Sequence, residues 1–237
     1  MEGTRILATS DLHGLLDGLR SECNKAKPDV LVIAGDIQPA VIGLDVKDWF
    51  KRKFFRMVRA LKCEVVAIPG NHDFCLAANA DDIVGGMAPK NFHYLVDSGE
   101  TVCGLRFHGT PWVPWISGHW CWESDEDDLV DKFAQIGKTR PHILVSHTPP
   151  RIYNCGVDVS IQNIRNRGPF GSTSLTKAIL SFCPSHCICG HIHSGDHTKW
   201  VMENGTRVYN VSRVDERYQI AYKPTLIEIP DPSERMH

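Results

Sequence analysis

Eight side chains in this sequence can bind metal or move protons, and they recur in one setting. They are Asp11, His13, Asp36, Asn71, His72, His147, His191 and His193. Ile6-Leu7-Ala8-Thr9 leads to Asp11 and His13; Val30-Leu31-Val32-Ile33 leads through Ala34-Gly35 to Asp36; Val65-Val66-Ala67-Ile68 leads to Asn71 and His72. Ile143-Leu144-Val145-Ser146 runs into His147, and Cys187-Ile188-Cys189-Gly190 into His191 and His193. Two carboxylates, an amide and several imidazoles offer hard oxygen and borderline nitrogen ligands, a set suited to Mn²⁺, Fe²⁺ or Zn²⁺. Asp36 is central because a carboxylate can bridge two ions. One site draws on Asp11, His13, Asp36 and one C-terminal histidine; the other draws on Asp36, Asn71, His147 and the other C-terminal histidine. Two ions about 3.5–4 Å apart would share a bridging hydroxide and clamp a phosphate during in-line displacement. The neutral Asn71 adds coordination without cancelling charge that a phosphate needs.

To bring these groups together, the apolar runs must be neighbouring strands. Short apolar runs ending in a polar residue read as buried parallel strands. Ligands of open α/β sheets gather outside the carboxyl ends of such strands. The order β-α-β-α-β over residues 5–68 predicts a parallel sheet with right-handed crossovers. Val46, Trp49, Phe50, Phe54, Met57, Val58 and Leu61 predict an amphipathic helix over 45–62. Its basic face, including Lys51, Arg52 and Arg56, reads as a solvated surface. Residues 93–108 predict short strands arranged as a hairpin. The segment 109–122 holds four tryptophans and is expected to fold over the rim of the sheet. The acidic run Glu123–Asp128 predicts the start of a helix reaching about Gly137, since carboxylates favour a helix N-terminus. Ser172 or Ser174 caps a helix through Phe182. Strands follow over 186–189, 198–202, 206–211 and 225–229, the last three read as antiparallel. The stretch 148–173 predicts a long loop, functional or disordered, and 231–237 a frayed tail after one domain over 1–230.

Composition narrows the function. The chain has 237 residues, is 42% hydrophobic and carries a net charge of −2. That balance gives no electrostatic case for stable nucleic-acid binding. The sequence has no eighteen-residue apolar run and no signal peptide, so a cytoplasmic protein off the membrane is expected. Nine cysteines without regular spacing read as reduced thiols rather than a disulfide framework. Cys187 and Cys189 lie inside an apolar run and read as core residues. His93, His108, His119, His142, His186 and His197 read as surface or satisfied core histidines.

Asp11-x-His13, Gly35-Asp36, Gly70-Asn71-His72-Asp73, His147 and Gly190-His191-x-His193 resemble the five ordered blocks of the calcineurin-like metallophosphoesterases. The blocks span residues 11–193; each alone is weak, and all five in order are specific. The resemblance implies a four-layer α/β/β/α sandwich of two mixed sheets. It implies that Asp11, His13, Asp36 and His193 hold a first divalent ion and that Asp36, Asn71, His147 and His191 hold a second. Manganese is the expected ion, with Fe, Zn, Ni or Co as other occupants. His72 matches the family's non-ligand histidine, which protonates the leaving oxygen or steadies the phosphate, and Asp73 would orient it. Gly109-Thr110-Pro111-Trp112, Ser146-His147-Thr148-Pro149-Pro150 and Asn210-Val211-Ser212 resemble a compact branch with brain-type metallophosphoesterase-domain proteins and bacterial relatives. That branch implies hydrolysis of small, nucleotide-type phosphodiesters, cyclic nucleotides included. Asn71, His72, Arg151, Arg167 and Trp112 are the expected substrate contacts; Arg165 and Arg213 are further candidates for a non-scissile phosphate, and Trp115, Trp120 and Trp122 for a nucleobase. Other readings are a phosphomonoesterase or protein phosphatase, and a non-catalytic scaffold of the same fold.

Overall fold

The computed structural model describes residues 3–41, 43–152, 170–194, 197 and 199–230. Two sheets face each other. The first has β1 (Thr4–Thr9), β2 (Val30–Ala34), β3 (Glu64–Ile68) and β4 (Phe92–Tyr94) in parallel, closed at its edge by antiparallel β13 (Thr225–Ile229). The second contains β5 (Ser98–Val102), β6 (Leu105–Thr110), β9 (Ile143–Ser146), β10 (His186–Cys189), β11 (Trp200–Val201) and β12 (Arg207–Asn210). Its order is β11-β12-β10-β9-β6-β5, and its four central strands run parallel. A small ladder, β7 (Val113–Pro114) with β8 (Glu123–Ser124), stands apart.

Side-chain alternation along these strands explains the layering, because successive residues point to opposite faces. Ile6, Ala8, Val30, Val32, Ala34, Val66 and Ile68 meet Phe107, Ile143, Val145 and Ile188 in the core between the sheets. The intervening Leu7, Leu31, Ile33, Val65 and Ala67 pack outward under α1 (Leu19–Ala26), the helix over residues 46–59 and α4 (Phe74–Ala80). On the far side, Leu144, Cys187, Cys189 and Val208 pack against α5 (Glu126–Ala134), α6 (Ile136–Thr139) and α7 (Thr173–Phe182). The result is helix, sheet, sheet, helix. Cys187 and Cys189 are fully buried in that outer core, where the Cys189 thiol donates to the Tyr209 carbonyl.

Several details depart from the expected elements. The helix over 46–59 joins α2 (Val46–Trp49) to α3 (Phe55–Arg59) through a π-helical turn, Phe50–Phe54. The wider turn brings Phe50, Phe54 and Phe55 onto one buried face. Phe92–Tyr94 forms no hairpin with the next strand; it pairs with β3 in the first sheet, while the hairpin is β5–β6 in the second. The last three strands are antiparallel only in part: β11 and β12 pair antiparallel, β12 is parallel to β10, and β13 crosses to the first sheet to pair antiparallel with β1. In the acidic run, Glu126 caps a different helix from its own. Its carboxylate accepts from the backbone N–H groups of Thr173 and Ser174 and the hydroxyls of Ser172 and Thr173, where α7 begins. The Ser172 hydroxyl accepts from the Leu175 N–H as the cap of that helix. No helix among the described residues is long and apolar enough to cross a membrane. Most of the long loop, residues 153–169, lies outside the described residues, as does the tail 231–237.

Candidate metal centre

The carboxyl ends of β1, β2 and β3 and of β9 and β10 converge on one place. Backbone bonds continue past the strands and fix the loops: the Asp11 N–H donates to the Gly35 carbonyl and the His13 N–H to the Asp36 carbonyl, both at 2.9 Å. Within the second sheet, past the ends of β9 and β10, the Gly190 N–H donates to the His147 carbonyl at 3.0 Å. Asp11, His13, Asp36 and His191 all have left-handed backbones, with φ of 53°, 43°, 53° and 71°. Such strain persists only where surrounding structure enforces it, and it concentrates at functional sites. Three glycines make the crowding possible. A Cβ at Gly35 would strike the His147 ring, at Gly70 the Asp36 carboxylate, and at Gly190 the Ser10 hydroxyl and the Asp11 carboxylate.

The two oxygens of Asp36 face different partners. Oδ1 accepts from the His72 backbone N–H at 2.8 Å and lies 3.4 Å from His147 Nε2. Oδ2 lies 3.6 Å from His13 Nε2 and 4.0 Å from His72 Nε2. Asp11 Oδ1 is 3.4 Å from His193 Nε2, and its Oδ2 accepts from the Ser212 hydroxyl at 2.7 Å. Ligand atoms of Asp11, His13 and His193 gather into one group, and those of Asp11, Asp36 and His147 into another. His147 donates from Nδ1 to the Ala34 carbonyl at 2.8 Å, which turns Nε2 toward Asp36 and toward Asn71 Oδ1 at 2.9 Å. His193 is oriented the same way, its Nδ1 donating to the Asp215 carbonyl at 3.1 Å. A carbonyl behind each imidazole is the usual support of a metal ligand. The His191 ring stands 5.1 Å from that of His147.

The donor set fits two divalent ions. Both ring nitrogens of His13 are buried without a hydrogen-bond partner, an expensive arrangement unless a metal takes one. Burial pushes the Asp36 and Asp11 carboxyls up, but His147 and His193 outweigh it and hold both well below the carboxylate range. Burial pulls His13 down to about 4, against the attraction of Asp36, and pulls His191, beside His147, down to about 3. Burial also works against the charged form of His147, yet Asp36 lifts it to about 9, and Asp11 raises His193 likewise. Ionised carboxylates and neutral imidazoles are ready ligands, and ions entering the site would displace the protons held by His147 and His193.

A family model for calcineurin-like phosphoesterases matches residues 4–195, which include every one of these groups. The chain belongs to the calcineurin-like phosphoesterases. It is 29% identical to the human metallophosphoesterase domain-containing protein 1 over 254 aligned positions, covering 97% of this chain and 72% of that protein, and the mouse protein matches equally. Among solved structures, the protein TT1561 of Thermus thermophilus superposes with a TM-score of 0.61 at 15% identity, over 90% of each chain. Such distant identity speaks for the fold alone. A calcineurin-like phosphoesterase with this donor set is a metal-dependent hydrolase.

Around the centre of this phosphoesterase, the other expected site residues divide. His72 lies against Asp36, with the Trp120 ring tilted against its own at 4.2 Å and 35°. Asp73 does not orient that ring. Its buried carboxylate accepts from the N–H groups of Ile37, Gln38 and Gly70, clamping the loops that carry Asp36 and Asn71. Burial, with Asp36 nearby, pushes it up to about 7, against the pull of those donors. Trp112 is committed elsewhere: its N–H donates to Asp97 at 2.6 Å, and Lys132 sits 4.2 Å above its ring. Arg213 is buried and bound to Glu22 and to the Asp17 carbonyl, both at 2.8 Å, so it does not face a phosphate. Arg151 is exposed, and Arg165 and Arg167 lie outside the described residues. The tryptophan segment does reach the rim, where the Cys121 N–H donates to the Asn71 carbonyl. Sequence reasoning missed Tyr218, whose ring is 4.7 Å from His13 and 5.3 Å from His193. It also missed the bond from Ser212 to Asp11, although Asn210-Val211-Ser212 was a visible signal.

Proposed function

We propose that this chain is a dinuclear metal-dependent phosphodiesterase acting on small, nucleotide-type or cyclic phosphodiesters. The observation that carries the dinuclear part is the division of Asp36 between His147 at one oxygen and His13 at the other. Asp11, His13, Asp36 and His193 would hold one ion; Asp36, Asn71, His147 and His191 would hold the other, with manganese the favoured metal. Bound there, the ions supply Lewis acidity to the phosphoryl oxygens and an activated water for attack on phosphorus.

The protein's own groups do the rest. Ser212 and the His191 backbone N–H hold the Asp11 carboxylate, and the His72 backbone N–H holds that of Asp36. Asp73 fixes the two loops relative to each other, so that Asn71 and Asp36 keep their spacing. His72 donates a hydrogen bond to a phosphate or leaving-group oxygen, and Trp120 against its face limits how the ring can tilt. The diester preference rests on the surroundings of His72. They are aromatic, and the buried Arg213 is spent on Glu22 rather than offered to a second anionic group. A reducing compartment such as the cytoplasm accords with the free thiols among the described residues.

Turnover of bis-p-nitrophenyl phosphate against p-nitrophenyl phosphate, with Mn²⁺ present, tests this reading. A diester kcat/KM at least about tenfold higher is expected, a difference of about 1.4 kcal/mol. A monoester preference would make the protein a phosphomonoesterase. No turnover with two ions bound would make it a scaffold of the same fold.

A further inference from the structure

Trp120 and Tyr218 come from two segments far apart in sequence, and both end beside His72. The Trp120 ring is 4.2 Å from that of His72, with Phe74 a further 5.9 Å from Trp120. Tyr218 stands edge-on to His13 at 4.7 Å and to His72 at 6.2 Å. None of Phe74, Trp120 and Tyr218 belongs to the three hydrophobic cores, so packing inside the protein does not account for them. Tyr218 is 43% exposed and Phe74 44%.

The hairpin that presents Tyr218 is built for the purpose. Val214 and Ile220 bridge its base. The Asp215 carboxylate accepts from the N–H groups of Arg217 and Gln219, and the Asp215 carbonyl accepts from the Tyr218 N–H at 2.9 Å. That same carbonyl accepts from His193 Nδ1. One residue thus orients a metal ligand and ties down the turn beneath Tyr218. The backbone of Tyr218 itself is left-handed, with φ of 56°. A bulky residue in that region is costly, and such strain is worth holding only for where it places the side chain.

Resting on the phosphoesterase reading, we infer that Trp120 and Tyr218 form an aromatic subsite that takes a flat ring on the ester arm of the substrate. With phosphorus held over Asp36 and Asn71, the arm leaves past His72, and the two rings beside it offer a face and an edge. Aromatic rings attract at centroid separations of about 4.5–7 Å, offset or edge-to-face. Rings also stack any nucleobase without reading its edge, so a nucleoside and a simple aryl alcohol satisfy the same surface.

Calorimetric titration of the Mn²⁺-loaded protein with diphenyl phosphate and with dimethyl phosphate tests this directly. Wild type is expected to bind the diphenyl ester about tenfold more tightly, the low end of stacking on one ring. In Trp120→Ala and in Tyr218→Leu that ratio should fall to about two. Equal binding of both esters by wild type, binding of neither, or a ratio that survives both substitutions would overturn the inference. Turnover of phenyl and methyl p-nitrophenyl phosphate is followed in parallel. If neither is hydrolysed, the phosphodiesterase reading falls, while the titration still decides the subsite. A nucleoside 5′-phenyl phosphodiester bound more tightly than diphenyl phosphate would identify the ring as a nucleobase.

Discussion

The floor of the site and its mouth are made by opposite means. The floor is buried, with Asp11, Asp36, Asn71 and His147 at the closed ends of parallel strands. Its glycines have no space for a methyl group, and its carboxylates are held by backbone N–H groups. The mouth is partly exposed aromatic surface on loops, with Trp120 and Tyr218 outside every core. The difference separates two tasks. The floor fixes charge and geometry for the phosphoryl group, which requires rigidity. The mouth selects what is attached to that group, which requires only a surface of the right chemistry on a fixed support.

Removing the imidazole of His72 should strike the boundary between the two. His72→Asn is expected to lower kcat on bis-p-nitrophenyl phosphate about 10²-fold, the lower end of general acid–base effects, with KM changed far less. A rise in KM alone would place His72 in the mouth rather than the floor. Gly190→Ala probes the crowding of the floor. Its methyl group would push into Ser10 and Asp11, so a loss of about 1–3 kcal/mol in urea unfolding is expected, with weaker metal retention. Gly85→Ala, where a Cβ meets open space, serves as the control and should not destabilise. The smallest effect belongs to a place in neither region. His93 on β4 donates to Glu64 on β3 and Glu100 on β5, both at 2.8 Å, linking the two sheets. Burial pulls its pKa down, but the two carboxylates outweigh it and raise it above 6.5. The stabilisation is therefore complete below the unfolded value and fades as pH rises through the folded one. His93→Gln should cost up to about 1 kcal/mol near pH 5.5 and almost nothing near pH 9, read from urea midpoints.

This contrast also governs what the sequence could disclose. The floor was legible because its constraints are local. A glycine before Asp36, Asn71 and His191 leaves a short motif, and each motif closes an apolar run of strand length. The layering was legible for the same reason, since fully buried parallel strands read as continuous apolar runs. The partners of β4 and β13 were not, because edge pairing depends on which sheet offers a free strand. The mouth was hidden further. Four tryptophans within 109–122 look alike in sequence, and only the fold sends Trp112 to Asp97 and Trp120 to His72. Arg213 reads as a candidate for a phosphate, yet it is buried against Glu22, and Asp215 carries a turn that aims Tyr218. Asp73 looked like the orienting partner of its neighbour His72, but its carboxylate points to the backbone of the loops instead.

The most direct test of the account is metal content per chain, measured by elemental analysis after dialysis, in wild type and in Asp36→Asn. One carboxylate shared by two ions predicts two per chain in wild type. In Asp36→Asn, retention should be lost at both positions, and diesterase turnover should fall about 10³-fold, roughly 4 kcal/mol. Two ions retained and full turnover in Asp36→Asn would contradict the claim that this residue joins the halves of the site.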